Sequence, residues 1–271
     1  MKQGILLTAF GSGSVQGEAS FRRFDALVRA RFPDIPVRWA FTSMLMRERL
    51  ASARKKSDSV GKALSRMAFE RFTHVAVQPL QLIAGFEYGD ILTVVQQMQK
   101  EGLFAALSMG EPLLTERDGG DAARVADALL AGLPQERRSD EAVLFMGHGS
   151  RHVSERQYEI LSRIIQERDP LVFMGTLNGA VRLDAILPLL AGVRRVWLLP
   201  LLAVVGRHTL EDMAGASENS WYSRLTACGI HCTPVLRGMT EYEGLLDIWG
   251  DHLACAMRDW PHTQTSSSHP A

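Results

Sequence analysis

Cysteine is scarce. Cys228, Cys232 and Cys255 are the three in 271 residues. They form an odd set without the paired spacing of a structural zinc site, so reduced thiols in a cytoplasmic protein are expected. No uninterrupted apolar stretch approaches the roughly 20 residues that span a bilayer. The apolar start is too short for a secretion signal and runs from Phe10 into a Gly/Ser turn. Neither sign of charge is in excess. Thirty Lys and Arg balance thirty Asp and Glu, which argues against general binding to nucleic acid or a membrane surface. Two catalytic signatures are also absent. Gly11-Ser12-Gly13-Ser14-Val15-Gln16-Gly17 has neither the Gly-x-Gly-x-x-Gly spacing nor the Lys-Ser/Thr of a phosphate loop. Gly147-His148-Gly149-Ser150-Arg151 is not a Gly-x-Ser-x-Gly nucleophile elbow. A nucleotide-dependent enzyme and a serine hydrolase are both disfavoured.

What remains is an ordinary globular composition, 46% hydrophobic and 22% charged, in a chain long enough for two domains. Strand and helix signals alternate along it, the pattern of a parallel α/β sheet. Strands are expected at 4–10, 36–42, 74–79 and 104–109, with helices at 18–32, through Val60, Leu64, Met67 and Phe72, through Ile91 to Met98, and at 120–131. The order then repeats. Strands are expected at 142–147, 171–175, 196–201 and 231–236. The helices between them run from a capping box at Ser154 and Gln157 with a Val153–Tyr158 staple, through Leu183 to Leu190, and through Met213 and Leu225. A final helix spans 241–258. Residues 261–271 show no apolar pattern, and a disordered tail is expected there.

The halves also match residue against residue. Leu6 to Ser12 lies over Leu144 to Ser150, Pro36 to Thr42 over Pro170 to Thr176, and Pro79 to Glu87 over Pro200 to His208. An internal duplication follows, giving two similar α/β domains, 1–136 and 137–260, with parallel sheets and a cleft between them. The final helix has the option of packing back on the first domain.

His148 and His208 each follow an apolar strand and precede a helical pattern. They should therefore lie at the carboxyl edge of a sheet, where open α/β folds bind ligands. The glycines around His148 let the backbone turn sharply. These two imidazoles are the candidate holders of a divalent metal, against the plainer roles of helix cap or structural residue. Glu87 stands opposite His208 in the internal match, and Phe10 opposite His148. Glu87 is either a helix-start acid or a carboxylate given to the cleft. The amides of the Gly11–Gly17 turn could bind an acidic group. The basic run from Arg47 to Lys56 reads first as a solvated helix face, second as a contact for an acidic substrate.

Taken together, Ala40-Phe41-Thr42-Ser43, Pro79-Leu80-Gln81 with Gly85-Phe86-Glu87-Tyr88, Met146-Gly147-His148-Gly149-Ser150, Gly175-Thr176-Leu177-Asn178-Gly179 and Pro200-Leu201-Leu202 with Gly206-Arg207-His208 resemble the CbiK-type anaerobic sirohydrochlorin cobaltochelatases. These are ATP-independent tetrapyrrole chelatases, and the resemblance runs over about residues 3–258. It implies two Rossmann-like domains of chelatase fold with the macrocycle in the cleft. The implied reaction is insertion of Co2+, or Fe2+ in some members, into sirohydrochlorin for cobalamin or sirohaem synthesis, with precorrin-2 as the other macrocycle to consider. The metal is substrate and no organic cofactor is implied. The family's metal-binding histidines fall on His148 and His208, and its active-site glutamate on Glu87. Phe10, Gly11, Ser12, Ser43, Glu87 and Asn178 are the expected substrate contacts. Asn178 stands where family members can carry a metal-binding Glu, and Met44 where a basic residue is expected. The rival reading is a non-catalytic carrier of metal or tetrapyrrole. Partners are then the macrocycle and a divalent metal, without nucleic acid or membrane, and a homo-oligomer is open.

Overall fold

The computed structural model describes residues 1–55, 57–115 and 120–260; the expected tail at 261–271 lies outside them. Two four-stranded parallel sheets carry the chain. In the first, β1 (Gln3–Ala9), β2 (Val37–Phe41), β3 (His74–Pro79) and β4 (Ala106–Met109) lie in the order β2-β1-β3-β4. In the second, β5 (Ala142–Gly147), β6 (Val172–Thr176), β7 (Arg195–Leu201) and β8 (His231–Pro234) lie in the order β6-β5-β7-β8. The central strands are apolar on both faces, because helices cover both sides of a parallel sheet. β1 and β5 are buried almost throughout.

Each sheet has its own outer core. In the first lobe, Leu6, Val75 and Val77 pack under α3 (Val60–Phe69) and α4 (Phe86–Lys100). In the second, Leu144, Val196 and Leu198 pack under α7 (Leu183–Ile186) and α8 (Trp221–Ala227). The inner faces share one continuous core. It holds Ile5 and Leu7 from one sheet, Val143 and Phe145 from the other, and residues of α1 (Val15–Arg31), α5 (Gly120–Ala131), α6 (Arg156–Arg168) and α9 (Glu243–Ala256). α9 belongs to the second half of the chain but packs on α5, α1 and β3, with Trp249 fully buried.

Several local expectations need correcting. The internal match at the second strand is one residue out. Ala9 pairs with Phe41 and Gly147 with Thr176, so Phe41 corresponds to Thr176 and Ser43 to Asn178. The Ser154–Gln157 capping box does not form. His152 caps a short 3-10 turn at Val153–Glu155 through Nδ1, ahead of α6. Val153 stays exposed, so there is no staple onto buried Tyr158. The helix expected through Val60 to Phe72 is α3, which ends at Phe69, and a further helix, α2 (Met44–Ser52), precedes it. Pro188 tightens Leu187–Leu190 into a 3-10 turn, and the expected Met213–Leu225 helix is a π turn, His208–Met213, followed by the separate α8.

Candidate active site

Every sequence-selected residue follows the carboxyl end of a parallel strand. β5 ends at Gly147, and His148 opens the next loop. Gly149 then takes φ +74°, and a Cβ there would lie 2.4 Å from the main-chain N of Gly179. Only glycine fits this approach without strain. The loop after β6 is stitched to the same place, since Asn178 N–H donates to His148 O at 2.9 Å. The first lobe repeats that bond between Ser43 N–H and Phe10 O at 3.2 Å. Main-chain geometry is shared, and side-chain chemistry is not.

His208 opens the π turn beyond β7 and faces His148. Their ring centroids are 5.0 Å apart, edge to face. His148 Nδ1 lies 2.9 Å from Gly149 O and His208 Nδ1 lies 2.6 Å from Asp212 Oδ2. Carbonyl and carboxylate oxygens accept only, so in the neutral form of each ring Nδ1 carries the proton and Nε2 keeps its lone pair. The Asn178 amide stands 3.5 Å from His148 Nε2. Its Nδ2 is the amide atom nearer that ring nitrogen.

Glu87 sits in the first turn of α4, after Gly85. Thr42 Oγ1 donates to its Oε1, and Gln81 donates as well. Burial raises the Glu87 carboxyl above its ordinary range, outweighing these hydrogen bonds and the nearby His148, which favour the ionised form. A carboxylate held this way is a stronger base than one in water. Among the described residues, no group of three His, Cys, Asp or Glu side chains is arranged to hold a metal.

The lobes touch beside these groups. Phe86 packs edge-on to His152, with centroids 5.1 Å apart. Farther round, Ser14 Oγ donates to Val205 O at 3.1 Å and Gln16 Nε2 to Leu236 O at 2.9 Å. Phe10 is 55% exposed at the end of β1. Ser12 is 4% exposed and its hydroxyl meets that of Ser14 at 3.0 Å. Ser43 Oγ caps α2 by accepting Met46 N–H. Ser12 and Ser43 thus spend their hydroxyls locally. Gly11, at φ +106°, lies against Phe41 and Met46. In the basic run, Arg47 donates to Phe41 O and Thr42 O and Lys55 pairs with Glu18. The first is a structural brace, the second a surface pair.

Two acids escaped the sequence reading. Asp212 was detectable as an acid four residues after His208 once a helical turn is drawn there. Glu155 takes Ser150 N–H at 2.7 Å and Ala180 N–H at 3.2 Å, tying the His148 loop to the Asn178 loop. Burial pushes its carboxyl above the usual range. Nothing in its local sequence marks that role.

The family model for cobalt chelatase (CbiK) matches residues 3–258. The sirohydrochlorin cobaltochelatase CbiKC of Nitratidesulfovibrio vulgaris (strain Hildenborough) is 57% identical over 258 residues, covering 94% of this chain and 91% of the relative. A sirohydrochlorin cobaltochelatase of Salmonella typhimurium (strain LT2) is 31% identical, covering 95% and 97%. Among solved structures, SirB from Bacillus subtilis with Fe3+ superposes with a TM-score of 0.63 at 17% identity, over 94% of this chain and 96% of that one. That likeness speaks to the fold alone. The matches favour an enzyme over the carrier reading: the chain belongs to the CbiK cobalt chelatase family.

Proposed function

We propose that this protein inserts Co2+ into sirohydrochlorin without ATP, and that it also accepts Fe2+, since imidazole donors discriminate weakly among these metals. The observation that carries the reading is the meeting of His148 and His208, 5.0 Å apart between centroids, beside the half-buried Glu87 carboxylate. Two imidazoles and an amide make an open donor set, one that captures a divalent ion and can still release it. A closed four-ligand site would keep its metal.

Insertion exchanges one divalent cation for two pyrrole N–H protons, so bases must stand near the nitrogens. Glu87 suits this task because burial brings its pKa closer to working pH. Neutral imidazole suits it as well. In this scheme His148 and His208 hold the ion, Asn178 borders it, and Glu87 receives a proton from the macrocycle across the cleft. The exposed Phe10, with half-buried Ser43 beside it, offers a rim for the flat ligand, whereas Gly11 and Ser12 are buried. No helix of the described residues is long and apolar enough to cross a membrane.

The test is Co2+ insertion into sirohydrochlorin followed by absorbance. His148→Ala and His208→Ala proteins should stay folded and lose most of the rate, on the order of 100-fold or more. Near-normal rates in both would overturn the assignment.

A further inference from the structure

We propose that Asp212 is a positioning residue for metal capture: by accepting the Nδ1–H of His208 it fixes the tautomer that turns Nε2 toward His148. This inference rests on the proposed function and adds a residue to it. Asp212 Oδ2 lies 2.6 Å from His208 Nδ1. A carboxylate can only accept there, so a neutral His208 ring must carry its proton on that nitrogen and leave the other free.

The local fold is arranged around this pair. Thr209 and Met213 are fully buried, and Met213 packs with the second lobe's outer core. His208 and Asp212 are the half-exposed residues of the same turn, at 44% and 47%. The turn is a π turn, closed by Ala214 N–H donating to Thr209 O at 3.1 Å. Such turns are rare and gather at functional sites. Gly215 makes it possible, since a Cβ there would lie 2.3 Å from Glu211 O. Glu211, the other acid of the turn, is occupied by Arg207 at 2.7 Å. The His208 ring is therefore left to Asp212.

A plain surface ion pair is the competing explanation, and pairs this exposed add little to stability. The two explanations differ in what the mutant loses. His148 offers no comparable test, because its Nδ1 acceptor is the main-chain oxygen of Gly149, which no substitution removes.

The experiment titrates Co2+ into the metal-free full chain and follows the visible absorption of the bound ion. In wild type, Asp212→Ala, Asp212→Asn and His208→Ala, it compares Kd and spectrum. Removing an oriented carboxylate behind a metal-binding histidine costs roughly 10–100-fold in affinity. Asp212→Ala should show that loss and an altered spectrum, with a thermal midpoint within about 2 °C of wild type. Asp212→Asn retains an oxygen that accepts Nδ1–H and should bind within about threefold of wild type. An Asp212→Ala protein that binds Co2+ like wild type, while His208→Ala does not, overturns the positioning role alone. Asp212→Asn as weak as Asp212→Ala assigns the effect to charge and overturns it too. Wild-type binding by His208→Ala overturns the metal reading of His208 and this inference with it.

Discussion

Gly149→Ala puts the geometry of the site under strain without touching any donor atom. Two costs follow from the structure. At φ +74° an alanine pays roughly 1–2 kcal/mol for the left-handed conformation. Its Cβ would also lie 2.4 Å from Gly179 N and 2.7 Å from Thr176 Cβ, where ordinary contacts begin at 3.4 Å. Thr176 ends β6 and Gly179 lies in the tight segment after it that carries Asn178, so the His148 and Asn178 loops must part by about 1 Å. A misplacement of that size costs on the order of 100-fold in rate. Co2+ insertion should therefore fall roughly 100-fold in kcat/KM, with a loss of stability worth roughly 2–4 °C of Tm per kcal/mol.

Gly192→Ala supplies the control. Gly192 has φ +84° but nothing within 4 Å of a Cβ, so alanine there pays the backbone cost without the crowding. It should lower Tm and leave insertion unchanged. Insertion by Gly149→Ala within about threefold of wild type would refute the claim that this close approach sets the site.

The pH dependence tests Glu87. Its ionised form is the proposed proton acceptor, so insertion should fall as pH drops through a pKa above the ordinary carboxylate range, and Glu87→Gln should abolish that acid limb. The sign for stability is opposite. Its folded pKa is raised, so its contribution is full below the unfolded pKa and declines as pH rises through the folded value. Glu87→Gln should then melt higher than wild type at pH 8 and alike at pH 4; equal melting at both would refute the burial cost. Asn178→Glu places a charged donor near His148 Nε2, 3.5 Å from the present amide. Co2+ should bind at least roughly tenfold tighter and leave more slowly, and unchanged affinity in a calorimetric titration would exclude residue 178 from the metal's surroundings. Glu155→Gln keeps one accepting oxygen where two amides, Ser150 N–H and Ala180 N–H, now each have their own. A stability loss of about 1–3 kcal/mol should appear in urea unfolding, accompanied by slower insertion.

The strand positions and their repeat were legible because buried parallel strands write themselves as apolar runs, and the same succession of runs occurs twice; the strand order within each sheet was not. The two histidines were legible for a related reason: a ligand edge in this architecture follows strand ends, and glycines beside His148 mark a sharp turn. What escaped was governed by three-dimensional packing. The one-residue slip at β2 and β6 arose because Thr42 and Thr176 look equivalent in sequence, whereas the hydrogen bonds from Ser43 N–H to Phe10 O and from Asn178 N–H to His148 O fix the true correspondence. The helix expected through Met213 gave way to a π turn that apolar spacing does not encode. Ser154 resembled a cap, but the His152 ring reached the amide of Ser154 first.

On the proposed function, the duplicated scaffold also divides the labour of the reaction. His148, Asn178 and His208 all follow strands of the second sheet, so capture of the ion needs one lobe. Glu87, Thr42 and Gln81 follow strands of the first, so the carboxylate that receives protons is supplied by the other. The lobes meet where Phe86 packs on His152, one residue from Glu87 and four from His148. The two sides are coupled all the same, since His148 favours the ionised form of Glu87 and the inner faces of both sheets share one core. A single lobe repeated without change would place like groups on both sides, and repulsion or competition for the ion would follow. Divergence at Phe10 and His148, at Ser43 and Asn178, and at Glu87 and His208 is, on this proposal, what turns a symmetric cleft into one with a metal side and a base side.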